Sequence, residues 1–324
     1  MMRILFAVTL AVFASLPAEA AEIGGAWTAT LSPKHPDRLQ LSLQVDDNGN
    51  QSSGFEISNF TALSRAQIES ATRVPVEFRM EREAGTLYFE GTFRNGRGAG
   101  DFRFVSDPKY VDRLRSTGVE LGKQKKEPRD LMNLALFDVS IDFIRSMQKI
   151  GYDETLDQYV AFRIFGVDPE YVQEMNNVGF KKLSGDKLVE TKIHGATPDY
   201  IREMRAKGED LSLDDYIQSR IFQITPEFAK EMAKAGYPDQ PHDTLVQFKI
   251  HDVTPEFVAD LKELGYSGLP AERLVEMRIH GVTPEFIRRV EKAGYRKVPV
   301  DKLVQMRIFD IEPEMIRALD DAGR

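Results

Sequence analysis

Five histidines, several carboxylate pairs and no cysteine are what this 324-residue chain offers for chemistry. Without cysteine there is no thiolate zinc site, no cysteine nucleophile, no disulfide frame and no lipidated cysteine anchor. His194, His251 and His280 share one position of a repeated segment, a pattern that can suggest a metal. Phe137, Phe165, Phe222 and Phe309 fill the same position elsewhere, so it reads as a half-buried aromatic slot and no metal ligand is assigned. Asp46-Asp47 and Asp214-Asp215 are the paired carboxylates. Adjacent residues on a strand point to opposite faces and serve acid–base chemistry poorly. There is no Gly-x-Ser-x-Gly elbow, no phosphate loop and no zinc motif, so no catalytic residue and no cofactor are expected.

Charged residues in register are the better candidates. Arg163, Lys192, Arg220, Lys249, Arg278 and Arg307 recur once per repeat at the end of a helix. There a base complements the helix C-terminus and pairs with first-turn acids such as Glu170, Glu227, Glu256 and Glu285. Kept in line, the six would form a stripe able to hold an acidic partner. Gly208-Glu209-Asp210 departs from the pattern, because Glu209 stands where other repeats place an aromatic. Pro238-Asp239-Gln240-Pro241-His242 stiffens the next link. Glu209 and Asp210 therefore join the bases as interaction candidates, with a drifted surface loop as the alternative.

A repeated hairpin must position these residues. Asp168-Pro169-Glu170-Tyr171, Thr197-Pro198-Asp199-Tyr200, Thr225-Pro226-Glu227-Phe228, Thr254-Pro255-Glu256-Phe257 and Thr283-Pro284-Glu285-Phe286 follow one another at 28 or 29 residues, the signature of a repeat array. Weaker copies begin at Asp107, Ser140 and Glu312, giving seven complete repeats and a terminal half. In the best copy Thr283 caps a helix, Pro284 opens it and Glu285 meets its positive end. Val282 with Ile287 makes a staple across the start, and Gly294-Tyr295 stops the helix as a Schellman motif. A shorter second helix follows, carrying Leu303, Val304, Met306 and Ile308. One such hairpin cannot bury its own apolar face and depends on its neighbours.

The segment before Asp107 differs. Arg3, an apolar run from Ile4 to Leu16 and Ala18-Glu19-Ala20 read as a signal peptide cleaved before Ala21, which implies a periplasmic or secreted bacterial product. From 21 to 106, alternation such as Leu39, Leu41, Leu43, Val45 predicts an antiparallel β domain of about five strands. Trp27 falls in its first strand as a core residue. Gly96, Gly98 and Gly100 sit between strands and read as a turn. With 43 basic against 51 acidic residues the net charge is -8, which argues against nucleic-acid binding. The fold class is thus α+β in separate domains: a small antiparallel β meander or sandwich, then an α-solenoid-like array over 107–324.

The motif Arg278-Ile279-His280-Gly281-Val282-Thr283-Pro284-Glu285-Phe286, with Gly294-Tyr295 and Asp301-Lys302-Leu303-Val304, resembles repeats of bacterial proteins associated with BlaR1-type M56 metallopeptidases. The resemblance covers Asp107 to Arg324 and implies an interaction module, since the peptidase's own His-Glu-x-x-His helix and membrane spans are missing. The function expected is a non-enzymatic exported interaction or scaffold protein, an accessory or regulator of an envelope metallopeptidase, with self-association at the array's end as a further expectation. The alternative is a small-molecule or glycan binder that uses Trp27 or Tyr88 of the β domain as a stacking surface.

Overall fold

The computed structural model describes residues 21–45, 49–122 and 127–312. The leader, Asp46-Asp47 and the terminal half repeat after Glu312 lie outside them. Two compact units divide the chain: Met1–Gln173 with Ser184–Val189, and Glu174–Leu183 with Glu190–Arg324. The architecture is an antiparallel sheet followed by a repeated helical array, an α+β chain in two parts.

The first unit begins with strands β1 (Glu22–Leu31), β2 (Arg38–Val45), β3 (Asn50–Glu56), β4 (Val74–Arg82), β5 (Gly85–Arg94) and β6 (Arg97–Ser106). Their order, β3-β2-β1-β6-β5-β4, makes two three-stranded meanders joined where β1 pairs with β6. The sheet has six strands where the alternation predicts about five. The extra one is β3, whose sequence Asn-Gln-Ser-Ser-Gly-Phe-Glu is too polar to announce itself. Helix α1 (Arg65–Glu69), capped by Ser64 with Gln67 in a capping box, is also new.

Alternate residues of β1, β2, β4, β5 and β6 face one apolar core. Trp27 on β1 lies edge-on to Phe78 on β4 at 5.3 Å between ring centroids. Three strand spacings of about 4.8 Å separate these strands along a flat sheet, so the sheet must curl strongly. Phe60 meets Phe55 of β3 and Phe78 of β4 at 6.2 and 5.5 Å, which places its ring between the two edge strands. Glycine permits the curl: a Cβ on Gly100 would lie 1.9 Å from the Glu90 carbonyl oxygen. The turn itself is only Asn95-Gly96, both with positive φ, while Gly98 and Gly100 lie inside β6.

The helices pair as seven hairpins among the described residues: α2 (Pro108–Arg115) with α3 (Glu127–Leu136), α4 (Ile141–Lys149) with α5 (Leu156–Phe165), α6 (Pro169–Asn177) with α7 (Gly185–His194), α8 (Pro198–Ala206) with α9 (Leu213–Phe222), α10 (Pro226–Lys234) with α11 (His242–Ile250), α12 (Pro255–Glu263) with α13 (Ala271–Ile279), and α14 (Pro284–Lys292) with α15 (Val300–Ile308). The second helix of a pair is not shorter than the first; α14 and α15 both have nine residues. In the first unit α3 packs against the sheet. There Tyr110 donates a 2.7 Å hydrogen bond to the Val139 carbonyl, and burial pushes its phenol well above the usual range. In the second unit α9 packs on α11, α11 on α13 and α13 on α15, while α12 packs on α14.

The end signals work as read. The Thr283, Thr254, Thr225 and Thr197 hydroxyls each accept the amide three residues on. Val282 and Ile287 are both buried, as are Val253 and Val258. After α14, Tyr295 N–H donates to the Val290 carbonyl and Gly294 N–H to Glu291, the two bonds of a Schellman motif. The second helices end the same way, which the sequence does not advertise. Val282 N–H donates to Met277 and Val253 N–H to Phe248, at 2.7 Å each. The residue before each of these valines is left-handed, whether Gly281 (φ 69) or Asp252 (φ 55). One valine thus closes one helix and staples the next.

Candidate interaction face

Three of the six in-register bases, Arg163, Arg220 and Arg278, reach back to the preceding repeat. Arg163 Nε donates to the Phe137 carbonyl at 3.2 Å and its guanidinium pairs with Asp138 at 3.0 Å. Arg278 repeats this on the His251 carbonyl at 3.0 Å and on Asp252. Arg220 reaches the His194 carbonyl at 3.4 Å. These carbonyls belong to the C-terminal ends of α3, α11 and α7, where a cation meets the negative end of the dipole.

The same cations lie over the first-turn aromatic of the helix that follows: Arg163 over Phe143, Arg220 over Tyr200, Lys249 over Phe228, Arg278 over Phe257 and Arg307 over Phe286, at 4.0 to 5.1 Å. Lys192 holds the matching place on α7 and is engaged as well. The acid partners of the bases differ from those the sequence suggests. Arg163 and Arg278 pair with left-handed Asp138 and Asp252, and Arg307 with Glu312 at 2.9 Å. Glu227 and Glu285 lie instead against Lys207 and Arg288. Their own backbone amides hold both carboxyls below the usual range. His194, His251 and His280 sit half-buried at their helix ends, as Phe222 does, but Phe165 and Phe309 at the same position are exposed, so the slot is not a half-buried aromatic site throughout; the His194 and His251 carbonyls, not their rings, meet Arg220 and Arg278.

An exposed apolar residue follows each of these bases. Ile164, Ile193, Ile221, Ile250, Ile279 and Ile308 are 44–54% exposed, once in each of the six hairpins from α4–α5 onward, whereas the matching Leu136 of the first hairpin is buried. Ile308 shares its helix with buried Leu303 and Val304 but is turned to solvent. Seven residues before each isoleucine, two turns along the same helix face, stands an exposed acid: Asp157, Asp186, Asp214, Asp243, Glu272 and Asp301. The neighbouring second helices α9, α11, α13 and α15 thus carry a row of isoleucines at one end and a row of carboxylates at the other.

The two irregular turns meet at one place in the second unit. A cavity of about 370 Å³ is lined by Met204, Glu209, Ser219, Tyr237, Gln240 and His242 among others. In the next repeat Tyr237 stands where Glu209 does; its ring meets Phe248 edge-on at 6.0 Å and its hydroxyl donates to the Leu269 carbonyl at 2.7 Å. Glu209 supplies no ring and Ser219 replaces the Phe248 position, so this cavity runs deeper, to Ser219 and His242. Asp210 lies outside it, paired with Arg205 at 2.9 Å. In the sheet, Trp27 is 1% exposed with its indole N–H on the Glu90 carbonyl, so no face of it is open for stacking. Tyr88 is exposed, with Arg103 over its ring.

Among the described residues no helix is long and apolar enough to cross a membrane. No protein-family model, curated protein or solved structure matches the chain.

Proposed function

We propose that this chain is an exported, non-enzymatic scaffold whose second helices dock a segment of another protein. The observation that carries this reading is the isoleucine row. Six half-exposed isoleucines at 28- or 29-residue intervals are not the scattered apolar residues that any surface shows. Because the bases lie against carbonyls and rings while exposed acids run parallel to the isoleucines, the face fits a partner segment that is apolar and basic. That sign is opposite to the acidic partner a base stripe alone would suggest. The leader-like first twenty residues support export, and the resemblance of the repeat supports a place beside an envelope metallopeptidase.

The test is photo-cross-linking from position 250 or 279 in bacterial envelope fractions, with and without Ile250→Glu/Ile279→Glu. The expected result is one partner, joined through a Lys- or Arg-rich apolar segment, lost in the double variant and weakened by salt. Capture that survives the double variant, or an acidic segment in the cross-link, refutes the reading.

A further inference from the structure

We propose that Asp215, His242 and Asp243 bind one divalent transition-metal ion of the zinc type. Asp215 comes from the first turn of α9, and His242 and Asp243 open α11, so two helices of adjacent repeats supply the set. Their nearest donor atoms all lie within 4.8 Å of one another.

The geometry around His242 is that of a ligand more than of an ion pair. Its Nδ1 is buried and has no hydrogen-bond partner, although Asp215 Oδ1 is 3.3 Å away. A tetrahedral ion with bonds of about 2.0–2.2 Å to nitrogen and oxygen holds two ligand atoms about 3.4 Å apart. The remaining atoms of the pair are anchored from outside. His242 Nε2 lies 2.9 Å from Ser219 Oγ, and Asp215 Oδ2 accepts from Ser212 Oγ at 2.8 Å. Such second contacts fix the orientation of ligating side chains. In the tautomer that donates Nε2–H to Ser219 Oγ, Nδ1 presents its lone pair toward a carboxylate, an arrangement that a cation between them relieves.

The repeats provide an internal comparison. The position of His242 is Leu156, Gly185, Leu213, Ala271 or Val300 elsewhere; that of Asp215 is Gln158, Lys187, Thr244, Arg273 or Lys302; that of Ser219 is Phe162, Thr191, Phe248, Met277 or Met306. A histidine, an aspartate and a buried serine replace them at one junction, and there they touch. Asp243, by contrast, belongs to the exposed acid row and leaves the ion's outer side open. One imidazole and two carboxylates suit zinc, cobalt or manganese; calcium asks for six to eight oxygens.

Calorimetric titration of the full chain with zinc chloride, and cobalt(II) absorption as a second readout, test this. One saturable site per chain is expected, weakened at least about tenfold by His242→Gln and by Asp215→Asn, and unchanged by excess magnesium. Asp243→Asn alters an exposed side chain and keeps the fold, and it too must weaken binding. The triple change His194→Gln/His251→Gln/His280→Gln must not. No saturable zinc or cobalt binding, or binding that ignores these three ligands, overturns the site.

Discussion

Glu209→Tyr restores the aromatic that every neighbouring repeat from Tyr152 to Tyr295 has after its first helix. The sister residues show what the new ring would reach. Tyr237 and Tyr266 are half-buried and donate 2.7 Å bonds to the Leu269 and Val298 carbonyls; the matching acceptor for position 209 is the Gln240 carbonyl, in the wall of the cavity. Half-burial of a ring contributes about 1–1.5 kcal/mol and the hydrogen bond about 1 kcal/mol, against about 0.5–1 kcal/mol of lost rotamer freedom. The net expectation is a gain of about 1–2 kcal/mol. The edge-on partner is still missing, because Ser219 stands where Tyr237 finds Phe248. Adding Ser219→Phe therefore couples favourably with Glu209→Tyr, by about 0.5–1.5 kcal/mol in a double-mutant cycle. Native-state amide exchange of α9 to α11 is the assay, since a repeat array opens locally. If the tyrosine variant exchanges faster, or the two changes do not couple, the cavity does not come from these two departures.

Three further outcomes follow from the caps and the bases. Arg278→Met removes a cation that serves the His251 carbonyl, Asp252 and the Phe257 ring at once, and it is expected to cost about 1–3 kcal/mol of local stability, read by exchange in α11 to α13. Thr283→Ala is expected to cost about 1 kcal/mol by urea titration, because the Phe286 amide loses its acceptor. The Glu227 and Glu285 carboxyls titrate below their unfolded value, so the stability they contribute is complete above the ordinary glutamate range and is lost as pH falls through and below it. Acid titration followed by circular dichroism should show Glu227→Gln/Glu285→Gln flattening that loss; an unchanged acid profile would count against these caps.

The hairpin was legible because its ends are written in residue types with few alternatives: Thr-Pro-Glu for a start, Gly followed by an aromatic for a stop. Where several residue types can do one job, legibility fails. The left-handed position after each second helix is glycine in Gly281 but Asp252 or Gln223 elsewhere, so no single letter marks it. Strand β3 lacks apolar alternation because its side chains are not core-facing in the ordinary pattern. Ile308 looks like core by composition; that it is exposed depends on the direction of the helix's last turn, which only packing decides. The cavity had a sequence signal in Glu209, but Ser219, Asp215 and His242 gain meaning only when the repeat register is read across all four together.

The backward reach of the bases gives the array a direction of growth. Arg163, Arg220 and Arg278 each need the carbonyl end of the repeat before them, whereas that carbonyl end, lacking its arginine, can be hydrated. A newly added repeat therefore finds a finished template on its N-terminal side and offers a fresh one on the other. Polymerisation of this kind proceeds most easily in the order in which a chain leaves a ribosome or a translocon, starting from the sheet that α3 covers. Shortening from the C-terminal side should then leave well-formed stubs, and removal from the N-terminal side should strand a guanidinium with nothing to hold.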